Sequence, residues 1–342
     1  MKRNYFIFTL LTIMMLVFVT GCGTSNRAKL AEDKINVVTS FYPLYDFTKK
    51  IGGEHVNVIN LVPAGVEPHH WSPKSRDIKN VTDSDLFVYQ GAGFEGWVDE
   101  FLKSLSKDAK VKPLMASEGI SLIDADGHSH DDGHDHGKEE AHDHPHEGHD
   151  HGKEEEKAHA NDGHDHGVGQ YDPHAWLSVK NSKKMAENIK NQLVAIDGAN
   201  KADYEANYAK LAKQFDDLDA KFKAEIAKTA RKDIVVSHQA FGYLAHDYGL
   251  TQKSIMGLTA DAEPTAQQMK DINKFIRDNN VTYIFFEELV SDKLAKTLAN
   301  DAGIQTLVLN PLEGLTEEQL NAGQDYFSVM ELNLNNLLKA LQ

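Results

Sequence analysis

The chain has 342 residues, enough for about two domains, and 41% hydrophobic content supplies ordinary cores. Its net charge of −16 is concentrated: residues 124–166 hold 15 Asp and Glu against 3 Lys, a local −12 that leaves only −4 for everything else. With no basic face to neutralise phosphates, the composition argues against a nucleic-acid partner.

The first residues read as a targeting segment. Lys2 and Arg3 precede "YFIFTLLTIMMLVFV", an apolar run of 15 residues. That is short of the roughly 20 needed to span a bilayer and suits a signal sequence. "VTGC" follows, in the manner of a bacterial lipobox, so Cys22 is expected to carry lipid as the first residue of the mature chain. Residues 1–22 are then the signal and 23–34 a polar tether, with a lipid anchor that attaches the chain to a membrane without crossing it. Cys22 is the only cysteine, which leaves no thiol for a disulfide or a Cys-type zinc site.

From Ile35 strands and helices alternate. "INVVTS", "VNVINLV", "DLFVYQG" and a weaker "AKVKPL" read as strands. "YPLYDFTKKIGG", "SPKSRDIKNVTDS" and "EGWVDEFLKSL" read as helices between them, the second with Ser72 and Pro73 as cap and first-turn residue. This order predicts a parallel sheet covered by helices on both faces, a first lobe over 35–180.

A histidine-rich segment, 126–167, interrupts it. Twelve of the 18 histidines lie here: His128, His130, His134, His136, His142, His144, His146, His149, His151, His159, His164 and His166. "HDHG" occurs at 134–137, 149–152 and 164–167. The segment has almost no aliphatic residues and no period of 2 or 3.6, so a disordered loop is expected. His-x-His pairs in such a chain make it an accessory metal-gathering loop of low selectivity, since nothing fixes their geometry. Its carboxylates attract cations and raise the local metal concentration.

After "YDPHAWLSV" come connecting helices over 181–231. The longer runs from Lys201 to about Ala230, with Tyr204, Tyr208, Leu211, Phe215, Leu218, Phe222 and Ile226 on one stripe. A second lobe over 232–342 repeats the alternation. Its strands are "DIVVS", "QKSIM", "TYIFF" and "TLVL"; its helices are "AFGYLAHDYG", "TAQQMKDINKFIRDN", "SDKLAKTLANDA" and "YFSVMELNLNNLLKAL". Ligands of open parallel sheets collect beyond the carboxyl ends of the strands, so two such lobes predict a cleft between them.

Six histidines lie outside the loop: His55, His69, His70, His174, His238 and His246. His69, His174 and His238 sit at strand ends or turns, and Glu313 in "LNPLEGL" follows a strand in the same way. Imidazole and carboxylate are zinc donors, but the spacing among these four is long and irregular. Glu287 and Glu288, which end "YIFF", are rival carboxylates. His70, Trp71 and Trp176 flank candidate ligands, while His246 and His55 read as surface residues.

Several ordered motifs add to this. "FYPLYDFTKKIGG", "LVPAGVEPHHWSP", "GAGFEGW", "YDPHAWLS", "VVSHQAFGYLAHDYGL" and "NPLEGLTEE" resemble the substrate-binding lipoproteins of bacterial zinc ABC transporters, the ZnuA/AdcA type, from about Ile35 to the end. The resemblance implies an α/β fold of two Rossmann-like lobes joined by a long rigid helix, the His-rich loop lying in the first. It implies His69, His174, His238 and Glu313 as metal ligands, a histidine at the third position favouring zinc over the manganese of some relatives. It also implies Zn2+ as cargo, and an ABC permease with its ATPase as partners. The expected protein is a monomeric receptor held by lipid at the outer face of a membrane. A manganese receptor, or a surface adhesin or metal-storage lipoprotein, is the alternative. An enzyme is not expected. No "GxxxxGK[ST]" occurs, and "HPHEGHDH" has Asp150 where H-E-x-x-H needs its second histidine.

Overall fold

The computed structural model describes residues 29–125, 171–259 and 264–342. Cys22 and all twelve histidines of the segment 126–167 lie outside the described residues.

The first lobe is a four-stranded sheet in the order β2-β1-β3-β4. Its strands are β1 (Ile35–Thr39), β2 (Val56–Asn60), β3 (Leu86–Tyr89) and β4 (Lys112–Met115), all parallel. Helices α1 (Tyr42–Gly52), α2 (Ser75–Asp83) and α3 (Val98–Ser104) connect them. The second lobe repeats the plan. β5 (Asp233–Val236), β6 (Thr251–Ser254), β7 (Tyr283–Phe286) and β8 (Gln305–Val308) form a parallel sheet in the order β6-β5-β7-β8. Between and after them lie α6 (Gly242–Tyr248), α7 (Ala266–Asp278), α8 (Lys293–Ala302), α9 (Glu317–Asn321) and α10 (Tyr326–Ala340). The run "VVT" in β1 is buried, as both-face coverage of a parallel sheet requires.

Helices α4 (Val179–Ile196) and α5 (Lys201–Ala227) join the lobes. At 1.5 Å per residue, the 27 residues of α5 reach about 40 Å. Tyr204, Leu211, Phe215, Leu218, Phe222 and Ile226 are its buried stripe, with Tyr208 half-buried beside it. The helix stops three residues before the expected Ala230. The Thr229 hydroxyl donates to the Ile226 carbonyl at 2.8 Å, and the Lys232 ammonium also reaches that carbonyl, so the last orphan acceptors are met by side chains.

Two further boundaries differ from expectation. Helix α2 begins at Ser75, not at the Ser72–Pro73 pair, because Asp77 accepts the Lys74 N–H at 2.9 Å and fixes the first turn there. Helix α9 has no apolar period to announce it; its reciprocal cap, Thr316 with Gln319, makes its five residues helical.

The lobes share one apolar cluster. Phe41 and Phe47 from the first lobe, Trp176, Phe215 from α5, and Tyr326 and Leu334 from α10 all belong to it. Phe47 meets Phe215 at 5.3 Å and Tyr326 at 5.0 Å between ring centroids, both edge-on. Polar ties cross the same junction. Lys50 on α1 pairs with Asp46 at 2.5 Å and with Asp325, the cap of α10, at 2.7 Å. The Tyr326 hydroxyl donates to the Trp176 carbonyl at 2.9 Å. No helix among the described residues is long and apolar enough to cross a membrane.

The residues that flank the histidine-rich segment meet at one point. Asp124 and Tyr171 form an antiparallel bridge. The Tyr243 hydroxyl accepts the Ile123 N–H at 3.0 Å and donates to the Asp172 carbonyl at 2.9 Å, closing the base.

Candidate metal centre

His69, His174, His238 and Glu313 converge in the cleft, their donor atoms all within 4.8 Å of one another. His69 lies in the loop between β2 and α2, its backbone N–H given to Glu67 at 2.7 Å and its ring edge-on to Phe94 at 5.1 Å. His174 opens a 3-10 turn, Ala175–Leu177, just before α4. His238 stands two residues beyond β5, and Glu313 lies in the turn after β8.

Five separations among these atoms are nearly equal, as a four-coordinate ion requires. Glu313 Oε1 is 3.3 Å from each of the three Nε2 atoms. His174 Nε2 is 3.2 Å from that of His69 and 3.4 Å from that of His238. A tetrahedron with such edges has its centre about 2.0 Å from each corner, the length of a zinc–nitrogen or zinc–oxygen bond. The buried Glu313 Oε1 has no hydrogen-bond partner despite three nitrogens nearby.

Two buried carboxylates set the imidazoles. Asp172 Oδ1 takes both the backbone N–H of His174 at 2.9 Å and its Nδ1–H at 2.7 Å. Glu287 Oε1 takes Nδ1–H of His238 at 2.6 Å and the Ser237 hydroxyl at 2.5 Å. With Nδ1 holding the hydrogen, each Nε2 presents a lone pair to the centre. Asp172 comes so close to the start of α6 that a Cβ on Gly242 would stand 2.4 Å from its Oδ2. Glycine is therefore required there.

The charges follow. Burial alone depresses His238, but Glu287 and then Glu313 outweigh it and push the imidazole up to about 10. Burial likewise opposes charge on His174, and Asp172 overcomes it, raising that group too. Burial works against the Glu313 carboxylate, yet His174, His238 and His69 hold it well below the usual range. Without a cation, His174 and His238 therefore hold their protons more firmly than free imidazoles. A divalent ion at the centre would displace them, because only neutral imidazole is a ligand.

The turn carrying Glu313 is strained. Leu312, fully buried, has φ of 57°, a left-handed conformation that costs a non-glycine residue about 1–2 kcal/mol. Asn310 Oδ1 accepts the Leu312 N–H at 2.7 Å. Asn333 on α10 brackets the Asn310 backbone, its Nδ2 donating to the carbonyl at 2.7 Å and its Oδ1 accepting the N–H at 2.8 Å.

The rival residues fall elsewhere. Glu287 faces His238, and Glu288 instead accepts from Asn310 at 2.6 Å and Gln319 at 2.7 Å. His70 is exposed and outside the cluster. Trp71 packs edge-on to Trp97 at 6.1 Å, whereas Trp176 is buried and donates its Nε1–H to the Pro311 carbonyl at 2.7 Å, two residues from Glu313. His246 is an exposed neighbour of Asp247. His55 is less exposed than expected: its Nε2 is 2.8 Å from Asp203, which ties the end of α1 to the start of α5. Reading the sequence did not find the roles of Asp172, Asn310 and Asn333. Only the Asp-x-His spacing in "YDPH" hinted at the first.

Comparison with known proteins fits this geometry. The family model described as zinc-uptake complex component A, periplasmic (ZnuA), matches residues 37–340. The zinc-binding protein AdcA of Streptococcus pyogenes serotype M3 is 41% identical over 330 residues, 96% of this chain and 60% of its own length. The chain thus spans about 60% of the AdcA relatives it matches. The high-affinity zinc uptake system protein ZnuA of Bacillus subtilis is 38% identical over 328 residues, 95% of this chain and 94% of its own. The Zn(II)-bound ZnuA-like domain of Streptococcus pneumoniae AdcA superposes with a TM-score of 0.70 at 35% identity, covering 90% of this chain and 99% of that domain. With two parallel-sheet lobes, a match across nearly its whole length and a full-length relative of the same extent, the chain belongs to the ZnuA family of zinc-uptake components.

Proposed function

We propose that the protein is an extracytoplasmic zinc receptor. It captures Zn2+ with His69, His174, His238 and Glu313 and delivers it to an ABC permease driven by a separate ATPase. Near-equal separations of 3.2–3.4 Å among the four residues' inward atoms carry this reading. Four protein donors close the shell and leave no open position for a reacting water, so the chain captures metal and does not catalyse. Three imidazoles and one carboxylate favour zinc over manganese. Lipidation at Cys22 would hold the monomeric receptor to the membrane surface, and the histidines of 126–167 would gather cations near the cleft.

Competitive titration of metal-free protein with Zn2+ and Mn2+ tests this. One tight zinc site is expected, abolished by His238→Ala and retained when residues 126–167 are deleted. If the tight site disappeared with the deletion and survived His238→Ala, the assignment to the cleft would be wrong.

A further inference from the structure

Helix α10 presents a buried stripe of Tyr326, Val329, Met330, Leu334, Leu337 and Ala340 to the core. Asn333 interrupts that stripe with a side chain that is 1% exposed. A buried amide is unfavourable there unless both of its ends are bonded. Both are, and to the backbone of one residue: Asn333 Nδ2 donates to the Asn310 carbonyl at 2.7 Å, and its Oδ1 accepts the Asn310 N–H at 2.8 Å. An interior helix position is thus given over to holding a single turn 23 residues earlier in the chain.

That turn has little freedom left. Asn310 passes the constraint on by accepting the Leu312 N–H at 2.7 Å, which holds Leu312 at φ 57°. A bulky residue stays in that conformation only where its surroundings over-determine it. Trp176 grips the Pro311 carbonyl at 2.7 Å, and the Gly65 N–H grips the Leu315 carbonyl at 2.9 Å, both from the first lobe. At Gly314 a Cβ would lie 3.2 Å from Leu289 Cδ1 and 3.5 Å from the Val66 carbonyl oxygen, so the turn packs closely on both. Glu313, between these anchors, offers Oε1 at 3.3 Å from all three imidazole nitrogens.

Manganese and similar hard cations take six ligands, mostly oxygen. To gain them here, the Glu313 carboxylate would have to swing so that both oxygens bind, and the donors would have to spread to admit water. We propose that Asn333 is a specificity-determining positioning residue. Through Asn310 it fixes the turn bearing Glu313, restricts the carboxylate to one-oxygen tetrahedral reach, and so selects Zn2+ against six-coordinate cations. The inference rests on the zinc-receptor reading and adds the source of its selectivity, which lies in the rigidity of one turn as well as in the identity of the donors.

Two variants cut the bracket at different joints. Asn333→Ala removes both bonds from α10. Asn310→Ala leaves α10 intact and frees the Leu312 N–H. Phe222→Leu, in the core of α5, serves as a control for lost stability. Each full-length, metal-free protein is titrated with Zn2+ in competition with Mn2+, and the visible spectrum of its Co2+ form is recorded, since tetrahedral Co2+ absorbs far more strongly than six-coordinate Co2+. Both bracket variants should lower the ratio of zinc to manganese affinity about tenfold or more, the scale of lost outer support around a ligand, and weaken the Co2+ band. The control should keep both at wild-type values. If either bracket variant folds and retains the wild-type ratio and band, or if the control loses them equally, the inference is overturned. A wild-type protein that takes up no zinc would instead remove the zinc-receptor reading itself.

Discussion

The two lobes share one plan, a parallel sheet with the order 2-1-3-4 counted within each, and each supplies two donors. They supply them differently. In the second lobe the donors stand close to the sheet. His238 follows Val236 by two residues, Glu313 follows Val308 by five, and Glu287 at the end of β7 orients His238. In the first lobe the donors lie far out on loops: His69 is nine residues past Asn60, and His174 arrives only after the long insertion. The second lobe thus holds His238 against its strands and the Glu313 turn against α10 and Trp176, whereas the first relies on local tethers, Glu67 for His69 and Asp172 for His174. A metal site built across two such halves has a firm side and an adjustable side.

The largest expected effect tests the firm side. His238→Ala removes a donor and leaves the buried Glu287 with the Ser237 hydroxyl but no imidazole. Loss of a ligand should exceed the roughly 10–100-fold effect typical of losing an outer hydrogen-bond partner, so zinc affinity should fall on the order of a thousandfold in a chelator competition. A loss below tenfold would show that the second lobe is not the anchor. His69→Ala should cost less, because no buried orienting carboxylate loses its imidazole, and should act mainly on the dissociation rate measured by stopped flow. Equal losses for the two variants would erase the distinction between the lobes.

Next come the carboxylates behind the imidazoles. Glu287→Gln and Asp172→Asn should each weaken zinc binding by about 10–100-fold with the tetrahedral Co2+ spectrum retained. A change in coordination number in that spectrum would mean that these groups shape the site more directly than hydrogen bonding to Nδ1 implies.

A pH series sharpens the same contrast. His238 in the metal-free protein is pushed up to about 10 from an ordinary 6.5. A raised imidazole stabilises the fold fully below the unfolded value and loses that contribution as pH climbs through the folded one. The Tm of metal-free protein should therefore decline between pH 6.5 and about 10, while the zinc-bound form, its protons already displaced, should not share that decline. Zinc binding at pH 7 should release protons, seen as a dependence of the calorimetric heat on the buffer. An unchanged metal-free Tm across this window would show His238 to be neutral throughout.

The smallest effect belongs to the periphery. His55→Ala breaks the pair with Asp203, whose side chain is 64% exposed. Exposed pairs contribute about 0–1 kcal/mol, so thermal unfolding should shift by a few degrees at most and zinc affinity not at all.

Much of this was legible in the chain because the information is local. Alternating apolar runs such as "INVVTS" and "DIVVS" gave the strands, and the stripe from Tyr204 to Ile226 gave the long helix. The four donors were not legible from spacing; they came from the resemblance of whole motifs, and the structure brings them together. What stayed hidden depends on register. β5 and β7 pair with Val236 opposite Phe285, which places His238 and Glu287 each two residues beyond the ladder on neighbouring strands. Until that pairing is known, Glu287 and Glu288 cannot be told apart. Asn333 was hidden for a similar reason: within "MELNLNNLLKAL" it is one of several polar residues, and only the approach of the β8 turn distinguishes it.

The closed base of the insertion has a consequence for how the chain tolerates change. The Asp124–Tyr171 bridge and the Tyr243 hydroxyl complete the lobe on either side of residues 126–170. The described flanks of that stretch are thus tied to each other and to α6. Closure entropy grows only logarithmically with loop length, about 0.6 kcal/mol for each doubling. A flexible connection between flanks held in this way can be lengthened or shortened at little thermodynamic cost, while the ties at its base hold the same residues in place.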